Sequence, residues 1–368
     1  MKIEDLTIGI EEEFQIIDPD TRELTSYIGK FLEQGAVLFR DQVQPEFMQS
    51  QIEVGSHVCR NIKEARQEIR RLRSIVAEIA EKNNRKIIAA GTHPFSSWKD
   101  QLVTEKERYK TLEANMSILA RRLLIFGMHI HIGIPDRNLR IDIMNQLTYF
   151  APHIFALSTS SPFWRGKFTG LKSYRAVIFE DLPRTGIPEY FRTADDYDNL
   201  VKTLLKTKCI EDPTKIWWDL RPHPKFDTIE FRICDCTTKI DEVIALAALV
   251  QAIVAKLILL RKKNLTWRIY RRELIAENKW RAMKDGIDGK LLDLGKQEEV
   301  PARFLIAELI EVVDDVVDEL GSREDVEYIR TILNEGTSAD RQLKKHQETD
   351  NLESVVDMLA DETIMGCE

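Results

Sequence analysis

Apolar and polar residues alternate along several short stretches of the chain, with the period of two expected of half-buried strands. This reading gives strands at about 6–17, 47–55, 86–93, 125–134, 170–180, 215–221 and 228–236. Between them the period lengthens. In NIKEARQEIRRLRSIVAEIAEKNN, residues Ile62, Ala65, Ile69, Leu72, Val76 and Ile79 recur every three or four positions and predict an amphipathic helix. A further helix is expected at about 138–157, and another opens from a Thr193 cap in TADDYDNLVKTLLKT. After about residue 239 helices follow one another, at 239–262, 268–282, 301–320, 322–334, 338–347 and 350–362, without strand signals. The stretch 284–300 reads as a loop. The pattern predicts an α+β protein in one domain over 1–368, with a mixed sheet and helix body at 1–238 and a mainly helical layer at 239–368.

A length of 368 residues suffices for a full core. The formal net charge of −8 offers no basic face for nucleic acid, while leaving room for a nucleotide held by local arginines and metal ions. The start MKIEDLTIGI has no apolar signal region. The longest apolar run, Val243 to Leu260, is interrupted by Gln251 and Lys256 and reads as a core helix, not a membrane span. Cys59, Cys209, Cys234, Cys236 and Cys367 show no CxxC spacing, which argues against a disulfide framework or a structural zinc site. A cytoplasmic location with reduced thiols is the expectation.

The strand faces carry the chemistry. In GIEEEF, Glu11 and Glu13 share a face with Gln15, while Ile10, Phe14 and Ile16 point the other way. Glu12 falls on the apolar face and needs a strand edge or an arginine partner there. Gln51 and Glu53 share a face in QSQIEVG, as do His129 and His131 in GMHIHIGI, and Glu230, Arg232 and Cys234 in TIEFRICD. Each of these strands has an apolar face behind it. Taken singly, EEE reads as well as a solvated edge, and HxH or Glu230 with Arg232 as ordinary surface groups. Together, as neighbours, they would converge several carboxylates with imidazole, and a divalent cation is the simplest way to hold such a set. Carboxylate oxygens with an imidazole suit Mg²⁺ or Mn²⁺ better than zinc.

Further stretches have the look of site loops. SSPFWRGKFTGLKSYR offers Arg165, Lys172 and Arg175; LPRTGIP offers Arg184; WWDLRPHP offers Arg221; GTSADRQL offers Arg341. A guanidinium meets carboxylate or phosphate with two parallel charged hydrogen bonds. GTHPF follows the apolar run KIIAAG and puts His93 at a sheet end. GxxxxGK[ST], GxGxxG, HExxH and GxSxG are all missing from the sequence.

GIEEEF, QSQIEV, GTHPF, MHIHIGI, SSPFWRG with TG and SYR, LPRTGIP, WWDLRPHP, IEFRICD and GTSADRQL, in this order from about residue 7 to 343, resemble the landmarks of the type 2 glutamate–cysteine ligase family, also called carboxylate–amine ligases. The resemblance implies a glutamine-synthetase-like fold, in which a curved antiparallel sheet forms a funnel between ATP and amino-acid entrances. It implies ATP with Mg²⁺ or Mn²⁺, and an amide formed between a carboxylate, typically the glutamate side chain, and an amine, typically that of cysteine. Carried over, it makes Glu11, Glu13, Glu53, His129 and Glu230 metal ligands. His131 would lie near the nucleotide phosphates or behind the ligands. Arg232 would contact the transferring phosphoryl group. Arg165, Arg175 and Arg221 would bind the carboxylate substrate or phosphates, with Lys172 and Arg341 on the nucleotide side. Family members tend to form homo-oligomers, so a homodimer is an expectation. No nucleic-acid or membrane partner is expected.

Two other readings fit the same residues. One is a phosphotransferase of the same fold acting on a carboxylate or guanidino group. The other is a non-catalytic nucleotide- or metal-binding protein that retains the site.

Overall fold

The computed structural model describes residues 2–29 and 42–367. In chain order the strands as far as residue 231 are β1 (Ile8–Ile17), β2 (Val43–Pro45), β3 (Gln51–Gly55), β4 (Lys86–Ile88), β5 (Met128–Gly133), β6 (Phe163–Trp164), β7 (Lys167–Phe168), β8 (Thr185–Gly186), β9 (Trp217–Trp218), β10 (Leu220–Pro222) and β11 (Thr228–Phe231). Seven of them form an antiparallel sheet in the order β10-β11-β5-β1-β3-β2, with β4 also paired to β1. The long β1 is its centre. Glu11 pairs with His129 on one side and Gly55 on the other, and Glu13 with Glu53. Glu230 pairs with both His131 and Arg221. Directly opposed residues share a face, so the register alone puts the charged residues of β1, β3, β5, β10 and β11 together.

The other face is apolar because the alternate positions are. Ile8, Ile10, Met128, Ile130, Ile132, Ile229 and Phe231 are buried in one cluster with most of the helix Ile240–Lys262. Phe14, Ile16, Ile52 and Val54 join a second cluster with the far half of the helix Ile62–Lys82 and with Val355, Val356 and Leu359 of the last helix. Ile62–Lys82 starts where the Asn61 side chain accepts from Glu64 N–H at 3.0 Å, and its buried stripe contains each of the six periodic residues. The helix Ile240–Lys262 is long and apolar enough to cross a membrane, but most of its residues are buried inside the protein core. Thr193 caps the helix Ala194–Lys206 in a reciprocal box with Asp196.

Several elements differ from the sequence pattern. The expected strand at 170–180 is a loop running into the helix Arg175–Glu180. Lys172 and Ser173 N–H groups donate to Met283 O, and Tyr174 N–H to Ser161 O, so tertiary partners replace a ladder. A short apolar run such as AVIF does not by itself distinguish strand from helix. The expected helix at 138–157 divides into Arg137–Leu147 and Ala151–Leu157, because Pro152 brings no N–H and fits only a first turn. The stretch 284–300 is not all loop: Lys290–Asp293 pairs with Glu298–Pro301, so the C-terminal part does contain strands. Asn278 clamps that hairpin through both backbone groups of Leu292, at 2.9 and 2.6 Å. β4 ends at Ile88, and β2 was not anticipated. The C-terminal helices fall at Arg272–Asp285, Ala302–Leu320, Arg323–Glu335, Ser338–Thr349 and Leu352–Ile364, close to their expected positions.

Glu12 finds an arginine. It lies on the apolar face, fully buried, against the equally buried Arg73 of Ile62–Lys82, with Nη2–Oε1 at 2.5 Å and Nε–Oε2 at 3.2 Å. The remaining Arg73 donors reach the carbonyls of Thr237, Thr238 and Thr363. All three glutamates of GIEEEF are thus accounted for: two face the site and one is a structural ion pair.

Candidate active site

Glu11 sits between the two imidazoles of β5. His129 Nδ1 lies 2.9 Å from its Oε2, and His131 Nε2 lies 3.4 Å from its Oε1. Glu230 stands 3.9 Å from His129 Nδ1. One donor atom each of Glu11, His131 and Glu230 lie within 4.8 Å of one another. Glu230 is gripped from behind: Arg221 donates to Oε2 at 2.6 Å and Oε1 at 3.2 Å, and Arg232 donates to Oε1. Arg221 directs its other donors to the carbonyls of Thr214 and Ile216. Gly9 lies close beside this cluster: a Cβ there would come within 3.3 Å of His131 Cβ and press on it.

Glu13 and Glu53 form the other half of the site. Gly127 N–H donates to Glu13 Oε2 at 2.5 Å. Glu53 lies with Glu46, which follows β2 and which the sequence reading did not single out. Burial and then the Glu46 charge push the Glu13 carboxyl up to about 7. Burial, and repulsion from Glu46, Glu11 and Glu13, push Glu53 well above the usual range. The Glu11 and Glu230 carboxyls go the opposite way. Burial alone would raise both, but the two imidazoles hold Glu11 low, and Arg232 with Arg221 hold Glu230 low. Burial and the nearby Arg232 charge lower His129 to about 4, so its ring is neutral and available as a ligand.

These residues fit a divalent cation. His131 Nε2 is buried and has no aligned hydrogen-bond partner. Glu13, Glu53 and Glu46 repel one another in a buried place, a cost that a doubly charged ion removes. The donor set is carboxylate oxygens with imidazole nitrogen, which suits Mg²⁺ or Mn²⁺.

The register therefore assembles Glu11, Glu13, Glu53, His129, His131, Glu230, Arg221 and Arg232. Arg175 is near by but turned to the backbone: it is buried, donates to the carbonyls of Arg232 and Ile233 at 3.3 Å each, and lies 3.8 Å from Asp235. A Cβ at Gly127 would collide with its Nη2, so the glycine leaves the slot it occupies. Arg165 is exposed at the tip of the β6–β7 hairpin, with φ of 51°, and makes no hydrogen bond or ion pair with the cluster among the described residues.

Lys172, on the loop before Arg175–Glu180, and Arg341 both make their ion pairs with residues of the helical layer. Lys172 pairs with Asp340 and Asp288 and lines a cavity of about 500 Å³ with Trp280, Arg281 and Lys284. Arg341 bridges Glu242 at 2.6 Å and Glu362 at 3.0 Å. Arg184 donates to Lys215 O, and His93 donates through Nε2 to Arg22 O, both as local braces.

The described strands and helices match solved ligase structures. A glutamate–cysteine ligase from Francisella tularensis, solved in complex with AMP, superposes with a TM-score of 0.73 at 13% identity, over 99% of this chain and 89% of that one. A bifunctional glutathione synthetase from Pasteurella multocida also gives 0.73 at 13% identity, over 99% of this chain and 53% of that one. The fold is thus that of the glutamate–cysteine ligases. Residues 7–358 match the model of glutamate–cysteine ligase family 2. Proteins of Chloroflexus aggregans and Roseiflexus sp. strain RS-1, each named "Putative glutamate--cysteine ligase 2", are 56% identical over 98% of this chain and cover 92% and 95% of their own lengths. The chain belongs to glutamate–cysteine ligase family 2, and is an enzyme of the ligase class.

Proposed function

We propose that the protein is an ATP-dependent carboxylate–amine ligase that joins the γ-carboxylate of glutamate to the amino group of cysteine through an acyl phosphate. The observation that carries this reading is the convergence of Glu11, His131 and Glu230 on one sheet face, with Arg232 beside them. Family membership and the AMP-bound structural relative support it.

A carboxylate oxygen of the donor attacks the γ-phosphorus of ATP, and ADP leaves with the bridging oxygen. The amine then attacks the acyl carbon, phosphate leaves with its electron pair, and the amine gives up a proton. Such transfer needs positioning and charge neutralisation more than a protein nucleophile. Glu11, Glu13, Glu53, His129 and Glu230, with His131 and Glu46, would hold divalent cations, whose charge would supply that neutralisation. Arg232 lies on the same face and offers its remaining donors to the transferring phosphoryl group. Arg221 and Arg175 act one step back: Arg221 fixes the Glu230 carboxylate, and Arg175 fixes the backbone that carries Arg232.

Incubation with ATP, Mg²⁺, glutamate and a panel of amines tests the reading, with phosphate release and product mass read together. The expected result is γ-glutamylcysteine formed in equal amount to phosphate. Phosphate matched by another amide reassigns the amine. A phosphorylated product without an amide favours the phosphotransferase reading instead.

A further inference from the structure

We propose that Thr228 is the positioning residue of the cation site: its hydroxyl fixes the His131 imidazole so that Nε2 faces Glu11 and Glu230. The proposal rests on the reading of this cluster as a divalent-cation site.

Three observations carry it. His131 Nδ1 lies 3.1 Å from Thr228 Oγ1, while Nε2, across the ring, is buried without an aligned partner. Thr228 and Glu230 are two residues apart on β11 and therefore share the site face, so a single strand brackets the ring. The ring is also packed by its neighbours. His223 packs edge-on against it with centroids 5.4 Å apart, and Gly9 lies against its Cβ. His223 is itself fixed, since its Nδ1 accepts from Lys225 and Phe226 N–H at 3.2 and 2.9 Å and its ring stacks on Phe226.

A metal-bound imidazole must present a bare nitrogen to the ion and carry its proton on the other. A hydroxyl oxygen that accepts from that other nitrogen holds the ring plane with the far nitrogen bare, and loss of such a partner costs about 10- to 100-fold in metal affinity. Thr228 occupies that position. The carboxylates set the charge of the site, and Thr228 sets the direction of its imidazole.

The test is Mn²⁺ binding, read by electron paramagnetic resonance of the free ion, for the wild type and for Thr228→Val, Thr228→Ala, Thr228→Ser and Glu230→Gln. Thermal melting in chelator confirms that each variant folds. Valine keeps the branched shape, alanine removes the hydroxyl without branching, and serine restores it. The expected result is binding about 10- to 100-fold weaker in Thr228→Val and Thr228→Ala, with Thr228→Ser close to wild type. Wild-type affinity in either hydroxyl-less variant that melts normally overturns the proposal. So does a Thr228→Ser variant as weak as Thr228→Val. Undiminished Mn²⁺ binding by Glu230→Gln overturns the cation reading itself, and the proposal with it.

Discussion

Arg73 holds both carboxylate oxygens of Glu12, and neither side chain is exposed to solvent. The pair ties the centre of β1 to Ile62–Lys82, and the carbonyls of Thr237, Thr238 and Thr363 complete the arginine's shell. Removing one partner of a buried pair strands the other charge, at about 3–5 kcal/mol. Glu12→Gln and Arg73→Met should each lower unfolding free energy in urea by that order. The double variant Glu12→Leu/Arg73→Met should recover part of the loss, though not all, because three carbonyls remain without a donor. A double variant as unstable as the sum of the singles would contradict this account.

The same pair shows what the sequence made legible. Alternation along β1, β3, β5 and β11 placed Glu11, Glu13, Glu53, His129, His131 and Glu230 on one face, and the register bears it out. Arg73 is legible too, as a cation on the line Ile69, Arg73, Val76 of an otherwise apolar helix face. Glu46 has no periodic neighbour, because it lies past a strand of three residues. Lys172 and Arg341 stand out in the sequence because they occupy turn-rich motifs. Their partners, Asp288, Asp340, Glu242 and Glu362, lie on other elements, and local pattern does not record such pairings.

Glu53 is held against its own charge by burial and by Glu46, Glu11 and Glu13. Mn²⁺ should therefore stabilise the wild type, by about 2.7 kcal/mol at a hundredfold excess over its dissociation constant. Glu53→Gln should melt higher than wild type in chelator, since one repelling carboxylate is gone, and should lose most of the Mn²⁺ response. Calorimetry with and without Mn²⁺ checks both. An undiminished Mn²⁺ response in the variant would remove Glu53 from the site.

His93 gives a pH dependence of definite sign. Its Nδ1 accepts from Phe95 and Ser96 N–H, and burial lowers it to about 4. The fold therefore favours the neutral ring. Stability from this residue is complete above about pH 6.5, the unfolded value, and is lost as pH falls toward 4, by about 3 kcal/mol in all. His93→Gln should be less stable than wild type at pH 7.5, with the gap narrowing toward pH 4.5. Urea midpoints across that range check it, and a constant gap would contradict it.

Arg341 joins three helices through Glu242 and Glu362, and among the described residues it makes no hydrogen bond or ion pair with the cation cluster. Arg341→Met should lower unfolding free energy by about 3 kcal/mol and leave Mn²⁺ affinity unchanged. A weakened Mn²⁺ affinity in a folded variant would contradict this.

In the proposed reaction the enzyme activates a carboxylate by phosphorylating it. Transfer of isotope tests this most directly. Glutamate labelled with ¹⁸O in its side-chain carboxylate is turned over with ATP and cysteine, and the released phosphate is analysed by mass spectrometry. The expected result is one ¹⁸O atom in each phosphate, carried there when the acyl phosphate breaks at the acyl carbon. Unlabelled phosphate, formed alongside amide product, would contradict it.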